Sequence, residues 1–99
     1  MSDNNLYLTK KQEYGSLPGD MSENHFWLLA EISSMHSEKV INALKDFLVF
    51  GYTRREACER HNVSQGYFSG ALGRFQRVSI TVSKLAPFYI NQNEDDNIK

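Results

Sequence analysis

The stretch TRREACERHNVSQGYFSGAL, from Thr53 to Leu72, holds two helix-start signals with almost no room between them. Thr53 and Glu56 form the capping-box pattern T-x-x-E, in which the threonine hydroxyl accepts from the amide three residues on and the glutamate reaches back to the Thr53 amide. The helix that starts there has to end quickly. Asn62 tolerates the left-handed conformation that closes helices, and Ser64 is the next cap after a single apolar residue, Val63. From Gln65 helical spacing resumes, with Phe68, Ala71, Leu72, Phe75 and Val78. A short helix, a tight turn and a second helix opening at a serine cap is the pattern of a helix-turn-helix, which holds its second helix at a steep angle and presents it outward. Cys58 falls where the first of the two helices has to be small for the axes to approach, Val63 plugs the angle from inside, and Phe68 and Ala71 face the core. Asn62 in the turn position usually given to Gly, and the polar His61 at a usually apolar site, are mild departures. The plainer alternative is an αα-hairpin that binds nothing.

The rest of the chain supplies helices for this pair to pack on. Residues 1–19 read as an extended or mobile arm ending in the turn signal of Pro18 and Gly19. Asp20, three residues before Glu23, is the expected cap of a helix through HFWLLAEIS, with Phe26, Leu29, Ala30 and Ser33 on one face and Trp27, Leu28 and Ile32 around the other. Ser37 caps a second helix carrying Val40, Ile41, Leu44, Phe47 and Leu48, and Gly51 stops it. The last helix is expected to reach Leu85 and to stop at Pro87, leaving residues 91–99 as a disordered polar tail. The sum is a small all-α domain of about four to five helices over residues 20–90. A chain of 99 residues serves one hydrophobic core, and so small a core gains from oligomerisation. Because the first helix is apolar around most of its circumference, Phe26, Trp27 and Leu28 are the residues expected to be shared between that core and a second subunit.

Composition excludes several classes. No apolar run approaches the ~20 residues of a membrane span, no signal-peptide segment precedes Asp20, and the lone Cys58 cannot staple the fold. A soluble cytoplasmic protein, nucleoid-associated if it binds DNA, is the expectation, without membrane partner, cofactor or small-molecule ligand. The net charge of −1 conceals an asymmetry. Met1 to Tyr52 carries four Lys against seven acids, Thr53 to Lys84 carries six basic residues against Glu56 and Glu59, and the remainder carries three acids against one Lys. A basic block centred on the paired helices is the footprint of a polyanion-binding face. Arg54 and Arg55 open a helix where their charge opposes its dipole, a conflict that an anionic partner resolves. Arg74 and Arg77 share a face of the last helix.

Outward positions at the start of that helix are Gln65, Gly66, Tyr67, Ser69, Gly70 and Gly73. Gln can read adenine bidentately, but Gly and Ser carry little base-reading chemistry, so shape and phosphate contacts would carry much of any binding to DNA. Each glycine costs about 1 kcal/mol relative to Ala in a helix, and three within eight residues require a local reason. Close approach of the backbone to DNA is one; close packing of another protein helix is the other. The DNA-contacting set is accordingly Arg54, Arg55, Gln65, Tyr67, Ser69, Arg74 and Arg77.

The runs MSENHFWLL, ISSMHS, GYFSGALGR and LAPFY together resemble the PapB family of adhesin-operon regulators, over about two thirds of the chain. The resemblance implies an α-helical helix-turn-helix protein that oligomerises on A/T-rich double-stranded DNA near adhesin or fimbrial promoters, with minor-groove contacts. It also implies a part in DNA binding for the arginine and cysteine of the TRREAC run, Arg54 and Cys58. Physically the two differ: Arg54 can reach a phosphate or enter a narrow groove, whereas Cys58 at a close-packed site holds the helix angle. Two competing readings remain. A zinc site would need Cys58 and His61 to converge with two further ligands such as His25 and His36, and no second close-spaced pair exists. A protein-interaction module using the apolar first helix would not retard A/T-rich duplex.

Overall fold

The structure, a computed structural model, describes residues 18–98, with side-chain surroundings for residues 18–90. Four helices follow in order: α1 (Glu23–Ser33), α2 (Glu38–Leu48), α3 (Arg54–His61) and α4 (Gln65–Ile98). There is no strand among the described residues, and the fold is the all-α class expected. Apart from Pro18 and Gly19, which form a turn, the expected N-terminal arm lies outside the described residues.

The start of α1 departs from expectation. Its cap is Ser22, whose hydroxyl accepts from the His25 amide at 3.2 Å, and not Asp20. The reason is upstream: Gly19 N–H donates to the Phe47 carbonyl and Met21 N–H to the Leu48 carbonyl, both at 3.0 Å. That pairing pins residues 19–21 along the end of α2, so helical geometry begins only beyond them. At this crossing two left-handed glycines meet, Gly19 (φ 72°) and Gly51 (φ 85°). A Cβ on Gly19 would stand 3.4 Å from the Gly51 Cα, an ordinary contact, so it is the left-handed conformation that calls for glycine there.

The core gathers the apolar faces of all four helices. Phe26 of α1 stacks on Phe75 of α4 with centroids 5.2 Å apart, and Phe47 of α2 meets Phe68 of α4 edge-on at 5.8 Å. Leu29, Leu44, Leu48, Ala57, Cys58, Ala71 and Leu72 complete it. Burial of large aromatic and aliphatic side chains contributes roughly 1.5–3 kcal/mol each. Phe26 is thus wholly interior, which corrects the expectation that it is shared with a second subunit: its ring is already covered by Phe75 and Trp27.

A second correction concerns the end of the chain. α4 does not stop at Pro87 but carries it inside a helix of 34 residues, about 50 Å long. Proline removes one N–H and crowds the carbonyl four residues back. That carbonyl belongs to Ser83, in a stretch where the side chains are exposed and nothing packs against the turn to resist its adjustment. A lone Pro without a following glycine or cap therefore leaves the helix running.

Candidate nucleic-acid interface

The turn between α3 and α4 is built by the local devices the sequence displays. Thr53 Oγ1 accepts from the Glu56 amide at 3.0 Å while Glu56 Oε1 accepts from the Thr53 amide at 2.8 Å, closing the capping box. Asn62 takes the left-handed conformation (φ 56°, ψ 48°), Val63 N–H donates back to the Cys58 carbonyl at 2.9 Å, and Ser64 caps α4 by accepting from the Tyr67 amide at 3.1 Å. Cys58, Phe68 and Ala71 lie in the core, and Val63 packs against it half-buried. Burial pushes the Cys58 thiol above its usual range, an effect that the nearby Arg54 charge opposes but does not cancel. The cysteine is a small buried hydrophobe here, not a nucleophile.

The opposite side of α4 is the outward face. Gly66, Gly70 and Gly73 recur at helical spacing directly away from Phe68, Leu72 and Phe75. A Cβ on Gly66 or Gly73 would meet nothing within 4 Å, and one on Gly70 would meet only the Arg74 guanidinium at 3.9 Å. Packing among the described residues therefore does not explain these glycines. Arg77 continues the stripe, Tyr67 and Arg74 border it on one side, Gln65 and Ser69 on the other, and all five side chains are exposed.

The arginines divide into two groups. Arg55 Nε lies 3.4 Å from Glu59 Oε2, one helical turn on, and Arg60 Nε lies 2.8 Å from Asp46 Oδ2. Arg54, Arg74 and Arg77 have no carboxylate partner among the described residues; Arg54 instead rests 5.7 Å from the centroid of the Phe47 ring. Of the arginines expected at a DNA face, the structure leaves Arg54, Arg74 and Arg77 uncompensated and gives Arg55 an internal acid. Exposed pairs of that kind are weak, so Arg55 can exchange Glu59 for a phosphate at little cost.

Sequence reasoning passed over Asp46. It is the buried charged residue among the described residues, 5 % exposed, and one oxygen, Oδ2, takes both Arg60 Nε and His61 Nε2, the latter at 2.7 Å. Arg60 also lies over the Tyr52 ring at 4.4 Å. The carboxylate holds the Arg60 guanidinium protonated beyond its usual range, chiefly through this hydrogen bond. Two cation-capable side chains from the last turn of α3 are thus tied to α2, which fixes the angle from which α4 departs. It also explains the polar His61 at an apolar position: its partner is a carboxylate in the interior. The signal available in sequence was an acidic residue inside the apolar spacing of the second helix, between Leu44 and Phe47.

On α1, Trp27 and Leu28 are 42 % and 57 % exposed, and Ile32, one turn beyond Leu28, lines a recess with Arg74 and Arg77 of α4. Trp27 carries the Lys45 ammonium over its ring at 4.9 Å. Leu85, Phe88, Tyr89 and Ile90 expose a second apolar stretch along distal α4. Among the described residues no three His, Cys, Asp or Glu side chains converge to hold a metal, and no helix is long and apolar enough to cross a membrane.

Comparison with known proteins places these features in a family. Residues 1–89 match the PapB family model, described as adhesin biosynthesis transcription regulatory protein. The chain is 62 % identical to the AFA-III adhesin operon regulatory protein of Escherichia coli, over 90 % of this chain and 88 % of that one. It is 47 % identical to the major pilus subunit operon regulatory protein PapB of E. coli, over 90 % and 86 %. The crystal structure of E. coli FocB superposes with a TM-score of 0.73 at 45 % identity, covering 87 % of this chain and 98 % of that one. These are regulators of transcription and not enzymes, and the present chain belongs to the PapB family of adhesin biosynthesis transcription regulatory proteins.

Proposed function

We propose that the protein regulates transcription of an adhesin or fimbrial operon by binding A/T-rich double-stranded DNA as a homo-oligomer, working in the cytoplasm on the nucleoid. In this reading α3 and α4 form the helix-turn-helix and the first three turns of α4 approach the duplex. The observation that carries it is the outward face of α4: a glycine stripe with no internal packing reason, bordered by Arg74 and Arg77 without acidic partners and joined by Arg54 at the start of α3. Such a face reads groove shape and phosphates more than base edges, because glycine offers backbone proximity and no side-chain donor. The regulatory names of the relatives point the same way. Gln65, Tyr67 and Ser69 supply the remaining polar contacts, and Cys58 acts by packing.

The test is fluorescence anisotropy on an A/T-rich duplex across a salt series. The wild type should bind with log affinity falling linearly against log salt, at about 0.9 per phosphate neutralised. Arg54→Ala should weaken binding with helicity intact. Affinity indifferent to salt would refute the reading. A second reading, a protein-interaction module that does not bind DNA, is favoured by the exposed Trp27, Leu28, Ile32 and distal α4. It requires that the protein fail to retard A/T-rich duplex in a gel at moderate salt.

A further inference from the structure

Beside the glycine face lies a recess that none of the foregoing uses. The turn joining α1 to α2 bends sharply at Ser34, a non-glycine residue in left-handed backbone (φ 61°, ψ 32°). This bend turns Met35 inward against the core and leaves Ser34 and His36 exposed. Across from them stand Tyr67 and Arg74, two turns apart on α4, and the space between holds about 380 Å³.

The chemistry of its walls is one-sided. No carboxylate lines the recess, and its one fixed charge is Arg74. Ser33 and Ser37 are already engaged, the first donating to the Ala30 carbonyl at 2.9 Å and the second accepting from the Val40 amide at 3.4 Å as the cap of α2. The Ser34 hydroxyl, the His36 ring, the Tyr67 hydroxyl and the Arg74 guanidinium carry no side-chain hydrogen bond or ion pair among the described residues. Four hydrogen-bonding groups, brought together from two separate parts of the fold around an acid-free hollow with an exposed rim, match the requirements of a singly charged phosphodiester. Arg74 ties this hollow to the glycine stripe, since its guanidinium lies beside Gly70.

We infer that the recess between the α1–α2 turn and α4 seats one backbone phosphate of the bound duplex, with His36 and Ser34 as contacts additional to the helix-turn-helix. The inference rests on the DNA-binding reading and extends it: the strand flanking α4 would be held from the side by a turn that lies outside the helix pair. The same hollow could accept free inorganic phosphate. Its open rim and its continuity with the exposed face of α4 favour a phosphate presented on a strand.

The experiment uses the full chain, an A/T-rich duplex and three variants that spare the core. His36→Ala and Tyr67→Phe delete single groups, and Ser34→Gly deletes a hydroxyl at a position where glycine suits the backbone. Each should weaken duplex binding about two- to tenfold, the worth of one net hydrogen bond, with circular dichroism and melting temperature unchanged. Phosphate-ethylation interference should show wild type requiring a set of phosphates from which His36→Ala and Tyr67→Phe lose the same single one. If both variants bind as wild type with the full interference pattern while Arg54→Ala loses binding, the recess proposal is overturned and the DNA-binding reading stands. If wild type itself shows no salt-dependent binding, the underlying reading fails. Titration with inorganic phosphate is the remaining arm: saturable shifts of the His36 ring resonances, with duplex affinity of the variants unaltered, would assign the hollow to a free anion and also overturn the proposal.

Discussion

The two halves of α4 are one continuous helix with opposite surfaces. From Gln65 to Phe75 the inward residues Phe68, Ala71, Leu72 and Phe75 are at most 2 % exposed, while the outward ones are glycine, serine, glutamine, tyrosine and arginine. Beyond Lys84 the relation reverses, and Leu85, Phe88, Tyr89 and Ile90 are 47–67 % exposed. The first half is fully satisfied within its own chain and turns a small, cationic surface outward. The second leaves its large apolar side chains exposed among the described residues. Under the proposed function one helix would therefore address two kinds of partner, a polyanion at its start and an apolar surface towards its end, with oligomerisation as the use of the latter.

The sharpest way to break this contrast is to truncate an aromatic in each half. Phe75→Ala should cost about 3–5 kcal/mol in urea unfolding, through the cavity left beside Phe26. Phe88→Ala should change monomer stability by no more than about 0.5 kcal/mol. Comparable losses in both would mean that distal α4 folds back on its own domain. The partner side is addressed by Trp27→Ala, which should weaken self-association by about 2 kcal/mol if this ring anchors an interface, as read by sedimentation equilibrium. A wild type that stays monomeric at micromolar concentration would dispose of the oligomer.

Smaller effects sharpen the first half. Cys58→Leu should overfill the crossing of α3 and α4 at a cost of about 1–3 kcal/mol and abolish duplex binding, whereas Cys58→Ala should retain much of it. Asp46→Ala should cost a similar ~1–3 kcal/mol, because Arg60 and His61 lose their shared acceptor while remaining partly hydrated. The three glycine variants are the most discriminating although the smallest. Gly66→Ala, Gly70→Ala and Gly73→Ala should each raise stability by up to about 1 kcal/mol in thermal melts and lower duplex affinity. Gains in both quantities would remove the argument that the glycines serve a close external approach.

What could be read from sequence was governed by range. The capping box of Thr53 and Glu56, the turn at Asn62 and the cap at Ser64 depend on groups three or four residues apart, and spacing alone exposes them. The role of Asp46 depends on partners 14 and 15 residues away, which no periodicity reveals. The choice of Ser22 over Asp20 was decided by carbonyls at the end of α2, a tertiary effect overriding a good local signal. Pro87 misled because a proline is a local penalty and not a stop. At the interface, the arginines were visible in sequence, but which of them keep an internal acid was not; the recess at His36 depended on a fold that brings the α1–α2 turn to the side of α4.

The meeting of Gly19 and Gly51 bears on how this sequence can drift. Both residues hold left-handed backbone, a conformation that a side chain strains whatever the space around it. A shortened side chain elsewhere cannot relieve that strain, since it lies in the φ of the residue itself, and replacing one glycine relieves nothing at its neighbour. Neither position can be rescued by a second-site suppressor acting through volume. Among descendants of such a chain, the two glycines should therefore be retained independently of each other and of every surrounding residue, showing invariance without covariation, while the apolar positions of the core trade size among themselves.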